Sequence, residues 1–153
     1  MNYEEAMALA IEIAKAGANS SGDVPVGAVI LNSKNEVVAT GSNEREMSFD
    51  PTAHAEIVAI RKAAEAMGSW RLEKHTLVVT LEPCAMCAGA IVQSRMSRVV
   101  FGAWDEKAGA VGSVWDILRD PRTLNKPEII SGVLSTECAL LLQSFFQSQR
   151  KGN

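Results

Sequence analysis

Apolar and polar positions along the chain alternate between helical and extended periods. Asn2 followed by Glu5 has capping-box spacing with Asn as the cap, and Ala6, Leu9, Ala10 and Ile13 recur at helical intervals. This predicts an amphipathic helix over residues 3–17, with Gly17 and Asn19 at its end. Residues 25–31 are short, apolar and β-branched, Asn32-Ser33-Lys34-Asn35 is turn chemistry, and residues 36–40 resume an extended pattern, which makes a hairpin. After a polar loop through Asn43 and Phe49, Asp50-Pro51-Thr52 signals a helix start, and residues 53–67 read as a helix stopped by Gly68. A buried strand over 76–81, a helix over 84–95 and a short strand over 99–101 imply a right-handed parallel crossover. A Gly-rich loop over 103–113, a helical turn over 114–118, a strand over 128–133 and a helix over 136–149 close the chain. Five short strands in a mixed sheet, with helices on both faces, make a three-layer α/β/α architecture, read as a single domain over residues 1–153.

Composition narrows the class. With 47% hydrophobic and 22% charged residues the chain has the makeup of an ordinary globule and not of a disordered one. No apolar run approaches the roughly 20 residues needed to span a bilayer, and the opening MNYEEAMALA carries acids where a secretory signal would carry Lys or Arg. These features predict a cytoplasmic protein. The net charge of -3, from 15 Lys plus Arg against 18 Asp plus Glu, gives no global positive field, so a nucleic-acid partner would have to be gripped locally. Three cysteines is an odd count, and the close spacing of Cys84 and Cys87 favours metal or redox chemistry over a disulfide framework.

His54, Glu56, Cys84 and Cys87 are the one group whose types and spacings suggest a reaction. Cys84 and Cys87 lie three apart where Pro83 starts a helix, so both sulfurs can turn to one point, and the positive helix end favours thiolates. His54 stands at the start of another helix, and the fold can bring the two N-termini together around one zinc ion. Four protein ligands close a structural zinc site, whereas three leave a position for water, whose pKa can fall toward about 7. His75, ahead of a strand, and Cys138, in the last helix beside Leu141 and Leu142, read as structural. Glu56, two residues after His54, can reach a water at the metal without being a ligand, which suits general acid/base work.

His54-Ala55-Glu56 with Pro83-Cys84-Ala85-Met86-Cys87 matches the H-x-E and P-C-x-x-C signature of zinc nucleobase deaminases. More narrowly the chain resembles the bacterial tRNA-specific adenosine deaminases, through Val24-Pro25-Val26-Gly27-Ala28, the stretch Asp50-Pro51-Thr52-Ala53-His54-Ala55-Glu56, Thr80-Leu81-Glu82-Pro83-Cys84 and the loop 102–113. The resemblance implies a cytidine-deaminase-like fold, a homodimer, one zinc per subunit, and conversion of adenosine to inosine at the wobble position of a tRNA anticodon stem-loop. Carried over by position, His54, Cys84 and Cys87 would hold zinc and Glu56 would shuttle protons. Asn43 and the Ala28 backbone, within the segment that includes Val26, would contact the flipped purine. Asp105 would face the nucleotide sugar or its neighbour, and Phe145 with Phe146 matches a Phe pair that lies near the anticodon stem or packs the last helix. Trp104 stands where a smaller or basic side chain is expected, and Glu106, following Asp105, adds another negative charge, which leaves the preference for flanking nucleotides open.

Basic residues Arg95, Arg98, Lys107, Arg119, Arg122, Lys126, Arg150 and Lys151 could track phosphates, although Asp105, Glu106, Asp116 and Asp120 are interleaved with them. Two rival functions share these motifs. One is a deaminase of free bases or nucleosides such as guanine or cytosine; the other is a non-catalytic zinc module in which the metal staples two helices.

Overall fold

The computed structural model describes residues 1–151. Helix α1 (Tyr3–Ser21) leads into strands β1 (Gly27–Leu31) and β2 (Val37–Ser42), a short α2 (Arg45–Ser48) and α3 (Ala55–Met67). Strand β3 (Thr76–Leu81), α4 (Ala85–Ser94), β4 (Arg98–Ala103), a 3-10 turn (Ile117–Arg119), β5 (Glu128–Ile130) and α5 (Ser135–Lys151) follow. The sheet order is β2-β1-β3-β4-β5; β1 is antiparallel to both neighbours, and β3, β4 and β5 are parallel.

Side chains alternate across the central strands and so build two cores. Ala28 and Ile30 of β1, Leu77 and Val79 of β3, and Val99 and Phe101 of β4 pack with Ala55 and Ala59 of α3 and Ala88 and Ile91 of α4. Val29, Leu31, Val78 and Val100 face the other way, onto Ala6, Met7 and Ala10 of α1 and Cys138 of α5. Burial on both faces explains why these strands read as continuous apolar runs. The predicted three layers and five-stranded mixed sheet are therefore present. Among the described residues no helix is long and apolar enough to cross a membrane.

Several element bounds differ from expectation. Asn2 caps α1 as predicted, its Oδ1 accepting the Glu5 N–H at 2.8 Å, but the helix passes through Gly17 and ends at Gly22. Gly22 is left-handed (φ 76°) and donates its N–H to the Ala18 carbonyl, closing the helix; Gly17 serves packing, since a Cβ there would lie 2.6 Å from Ser42. Strand β5 stops at Ile130 because Gly132 (φ 81°) and Leu134 (φ 50°) leave the extended region. The turn after the Gly-rich loop is a 3-10 turn shifted toward Leu118, the one fully buried side chain there.

Helix α1 and strand β1 meet backbone to backbone. A Cβ on Gly27 would fall 1.9 Å from the Ala10 carbonyl oxygen, a collision that no rotamer change relieves. Gly27→Ala is therefore expected to destabilise the fold by at least about 1–3 kcal/mol, read as a lower urea midpoint at unchanged m-value.

Candidate functional site

The site forms beyond the carboxyl ends of β3 and β4, where parallel strands leave a crevice for a ligand. His54 and Cys84 are the N-cap residues of α3 and α4, both with extended backbone (ψ 156° and 178°), and neither side chain makes a capping hydrogen bond. Their donor atoms are thus free to face each other. His54 Nδ1 lies 3.6 Å from Cys84 Sγ and 3.6 Å from Cys87 Sγ, and the three atoms lie within 4.8 Å of one another. Tetrahedral zinc with bonds of about 2.3 Å to sulfur and about 2.0 Å to nitrogen would set N and S roughly 3.5 Å apart, so the donor set fits that ion. Among the described residues these three are the one group arranged this way.

Electrostatics at the triplet follow from shared protons. A hydrogen bond from Cys87, with one from His54, pulls the Cys84 thiol down to about 4 despite its burial. The neighbouring Cys84 sulfur and burial push Cys87 strongly up, and the bond to Cys84 raises His54. Glu56, on the first turn of α3 and 4% exposed, is pushed up to about 7 by burial.

A cavity of about 210 Å³ opens beside these groups, room for one flat heterocycle and too small for a drug-sized ligand. Val24, Val26, Leu81 and Ala108 supply apolar wall, and Asn43, Arg45, His54, Glu56, Glu82, Cys84 and Asp105 supply polar wall. The Asn43 amide nitrogen donates to the Val24 carbonyl at 3.4 Å, and its oxygen accepts the Arg45 N–H at 3.4 Å. Asp105 Oδ1 accepts from the backbones of Lys107 and Ala108, which turns the start of the loop after β4.

Of the residues singled out in the sequence, His54, Glu56, Cys84, Asn43, Asp105 and Val26 share this cavity wall, and Cys87, the third member of the triplet, is buried and not part of it. Ala28 is wholly buried inside β1, paired with Gly41 and Val79, and is not part of the wall. Phe145 lies on α5, its ring edge-on to Phe146 at 5.4 Å, and does not reach the cavity. Phe146 instead joins Lys107, Gln149 and Arg150 around a separate surface cleft. Trp104, 48% exposed, packs edge-on to Phe101. Cys138 is buried against Gly102, and His75 stands at the far end of β3 with Nδ1 on the Glu73 carbonyl, so neither is a fourth ligand.

Many of the basic residues are already engaged. Arg98 pairs with Glu128 at 2.9 Å, Arg119 with Asp116 at 3.0 Å and Arg122 with Asp120 at 2.6 Å, while Arg95 lies over the Trp70 ring. Lys107 and Arg150 remain on the cleft, and the Lys151 side chain lies outside the described part of the chain.

Sequence reasoning gave Glu82 no role, yet it organises the loop. Its carboxylate accepts the backbone N–H of Asp105 (3.0 Å), Val111 (2.9 Å) and Ser113 (3.1 Å) and the Ser113 hydroxyl. Burial alone would raise this carboxyl; the hydrogen bonds outweigh it and hold it below the ordinary glutamate range. An acid set between an apolar strand and Pro83 was the available signal, because a buried charge persists only where donors meet it. Gly109 makes room for it, since a Cβ there would lie 2.3 Å from the Glu82 carboxylate.

Comparison with known proteins agrees with this geometry. Residues 1–103 match the cytidine and deoxycytidylate deaminase zinc-binding region. A tRNA-specific adenosine deaminase of Bacillus subtilis (strain 168) is 47% identical over 134 residues, spanning 88% of this chain and 83% of that protein. One of the same name from Haemophilus influenzae (strain ATCC 51907 / DSM 11121 / KW20 / Rd) is 45% identical over 148 residues, 97% of this chain and 85% of its own. A solved structure from a study of A-to-I editing by tRNA:A34 deaminases at the wobble position of transfer RNA superposes with a TM-score of 0.86 at 41% identity, covering 90% of this chain and 99% of that one.

Removing the Glu82 carboxylate strands three backbone donors and a hydroxyl. Glu82→Ala is expected to cost more than about 2 kcal/mol of stability and to speed amide exchange at Val111 and Ser113 over that at Val78 in the central sheet. Protection that stays unchanged at Val111 and Ser113 would contradict this role.

Proposed function

The chain belongs to the zinc-binding cytidine and deoxycytidylate deaminase family, and on that premise we propose that it hydrolyses adenosine to inosine in tRNA, at the wobble position of an anticodon stem-loop. The observation that carries the reading is the juxtaposition of one imidazole and two sulfurs with the buried Glu56 carboxyl at a cavity sized for a single base. His54, Cys84 and Cys87 would hold one zinc ion. When bound, zinc supplies Lewis acidity that brings the ionisation of water toward neutral pH.

The remaining work falls to side chains of the chain itself. Glu56 takes the proton of the attacking water, delivers it to the adenine ring nitrogen, and passes a proton to the exocyclic amine, which leaves as ammonia while water oxygen becomes the new substituent at C6. Asn43 offers amide groups to the purine, Val26 with Val24 and Leu81 packs against the base, and Asp105 faces the sugar or a neighbouring nucleotide. An anticodon loop presents unstacked bases, which spares the few kcal/mol that extrusion from a duplex would require.

We read residues 1–153 as one deaminase domain acting in the cytoplasm, whose reducing conditions suit three free cysteines. As a homodimer it would join through the groove between α3 and α4, where Ile57, Ile60, Ala64, Trp70 and Ala90 leave apolar surface.

Incubation with an anticodon stem-loop carrying a wobble adenosine should yield inosine by mass spectrometry; conversion of free guanine or cytosine instead would overturn the tRNA assignment. Glu56→Ala should keep zinc and fold but lose about 10²-fold or more of turnover, whereas Cys87→Ala should lose the metal itself, read by elemental analysis. Ile60→Glu should give a monomer in analytical ultracentrifugation, and a dimer that persists would exclude this groove.

A further inference from the structure

Eight arginines occur in the chain, and seven have a partner for the guanidinium. Arg61, Arg98, Arg119 and Arg122 pair with acids, Arg71 and Arg95 lie over the Trp70 ring, and Arg150 donates to the Phe146 carbonyl. Among the described residues only Arg45 has a guanidinium with no such partner; its backbone alone is bonded, its N–H to the Asn43 side-chain oxygen and its carbonyl to the N–H groups of Phe49 and Asp50. Arg45 is exposed and lies on the wall of the base-sized cavity.

That position is at odds with the rest of the lining. The ionisable carboxyls on the wall are Glu56 and Glu82, both buried, and Asp105, half-buried, and no lysine or second arginine joins Arg45. A cavity of about 210 Å³ admits the base and leaves the sugar-phosphate at its mouth. A phosphodiester arriving at that mouth beside the half-buried Asp105 is repelled unless a cation meets it, and a guanidinium matches two phosphate oxygens at once. The net charge of -3 gives no general attraction that could substitute.

We propose that Arg45 grips a phosphodiester flanking the target nucleotide, and so makes the site select an adenosine within a polynucleotide over a free base or nucleoside. This rests on the reading of the chain as a tRNA deaminase. The phosphate lies either 5′ or 3′ of the target, and substrates neutral at one position tell the two apart.

The test combines conversion by the zinc-loaded wild-type protein with stem-loop binding by Glu56→Ala, whose slowed turnover leaves the substrate intact during the measurement, alone and with Arg45→Gln or Arg45→Lys added. Stem-loops carry an ordinary backbone or a neutral methylphosphonate immediately 5′ or 3′ of the wobble adenosine. Arg45→Gln should weaken binding about ten- to a hundredfold and lower the slope of log affinity against log salt by about 0.7, the value for one phosphate on a single strand. Arg45→Lys should keep the slope while losing part of the affinity. One methylphosphonate position should reproduce the loss in the Arg45 protein and add nothing to Arg45→Gln, which identifies the phosphate. Inosine formation by wild type together with an unchanged salt slope in Arg45→Gln overturns the assignment and points to a guanidinium stacked on a neighbouring base. Losses that add at both methylphosphonate positions overturn it as well. Absence of inosine from wild type overturns the tRNA reading beneath it.

Discussion

The constraint on which the site depends is the meeting of two helix N-termini on one face of the sheet. α3 and α4 pack on the same core, and their first residues, His54 and Cys84, present donor atoms that make no cap. Cys87 follows one turn into α4, so a single helix supplies two sulfurs toward one point. One imidazole and two sulfurs facing one another make a donor set that a single divalent cation can share.

Two carboxyls near this point behave in opposite ways, and their surroundings explain why. Glu56 is buried with little to stabilise its charge, which raises its proton affinity. Glu82, equally buried, meets three backbone N–H groups and a hydroxyl and stays ionised. One acid is suited to moving protons and the other to holding a loop. The loop in turn sets Asp105 and Ala108 in the cavity wall, and it reaches back to the metal-binding turn, where Ala110 N–H donates to the Pro83 carbonyl.

Sheet, layers and ligand triplet were legible in the sequence because each leaves a local mark. Doubly buried strands are unbroken apolar runs, as in residues 76–81, and ligands of one ion cluster at fixed spacings such as Cys84 and Cys87. What escaped depends on long-range contact. Gly17 looks like a helix stop until its approach to Ser42 is seen, and Ala28 falls within a motif yet is enclosed by strands on both sides. The basic residues of the third quarter form a plausible phosphate track in one dimension, but Asp116, Asp120 and Glu128 neutralise much of it in three. Arg45 carried no signal in the sequence, because its distinction, a guanidinium without a partner among the described residues, is visible only once the fold has placed the acids elsewhere.

The contact of Gly27 with the backbone of α1 bears on how the site recognises its guest. Val24 and Val26 lie between the end of that helix and the strand it touches, and the Gly27 N–H is also held by the Thr80 hydroxyl at 3.2 Å. This side of the cavity is anchored to two layers at once and behaves as a fixed jaw. On the proposed reading a base of the wrong outline would meet a braced surface there, which favours rejection by shape over adaptation.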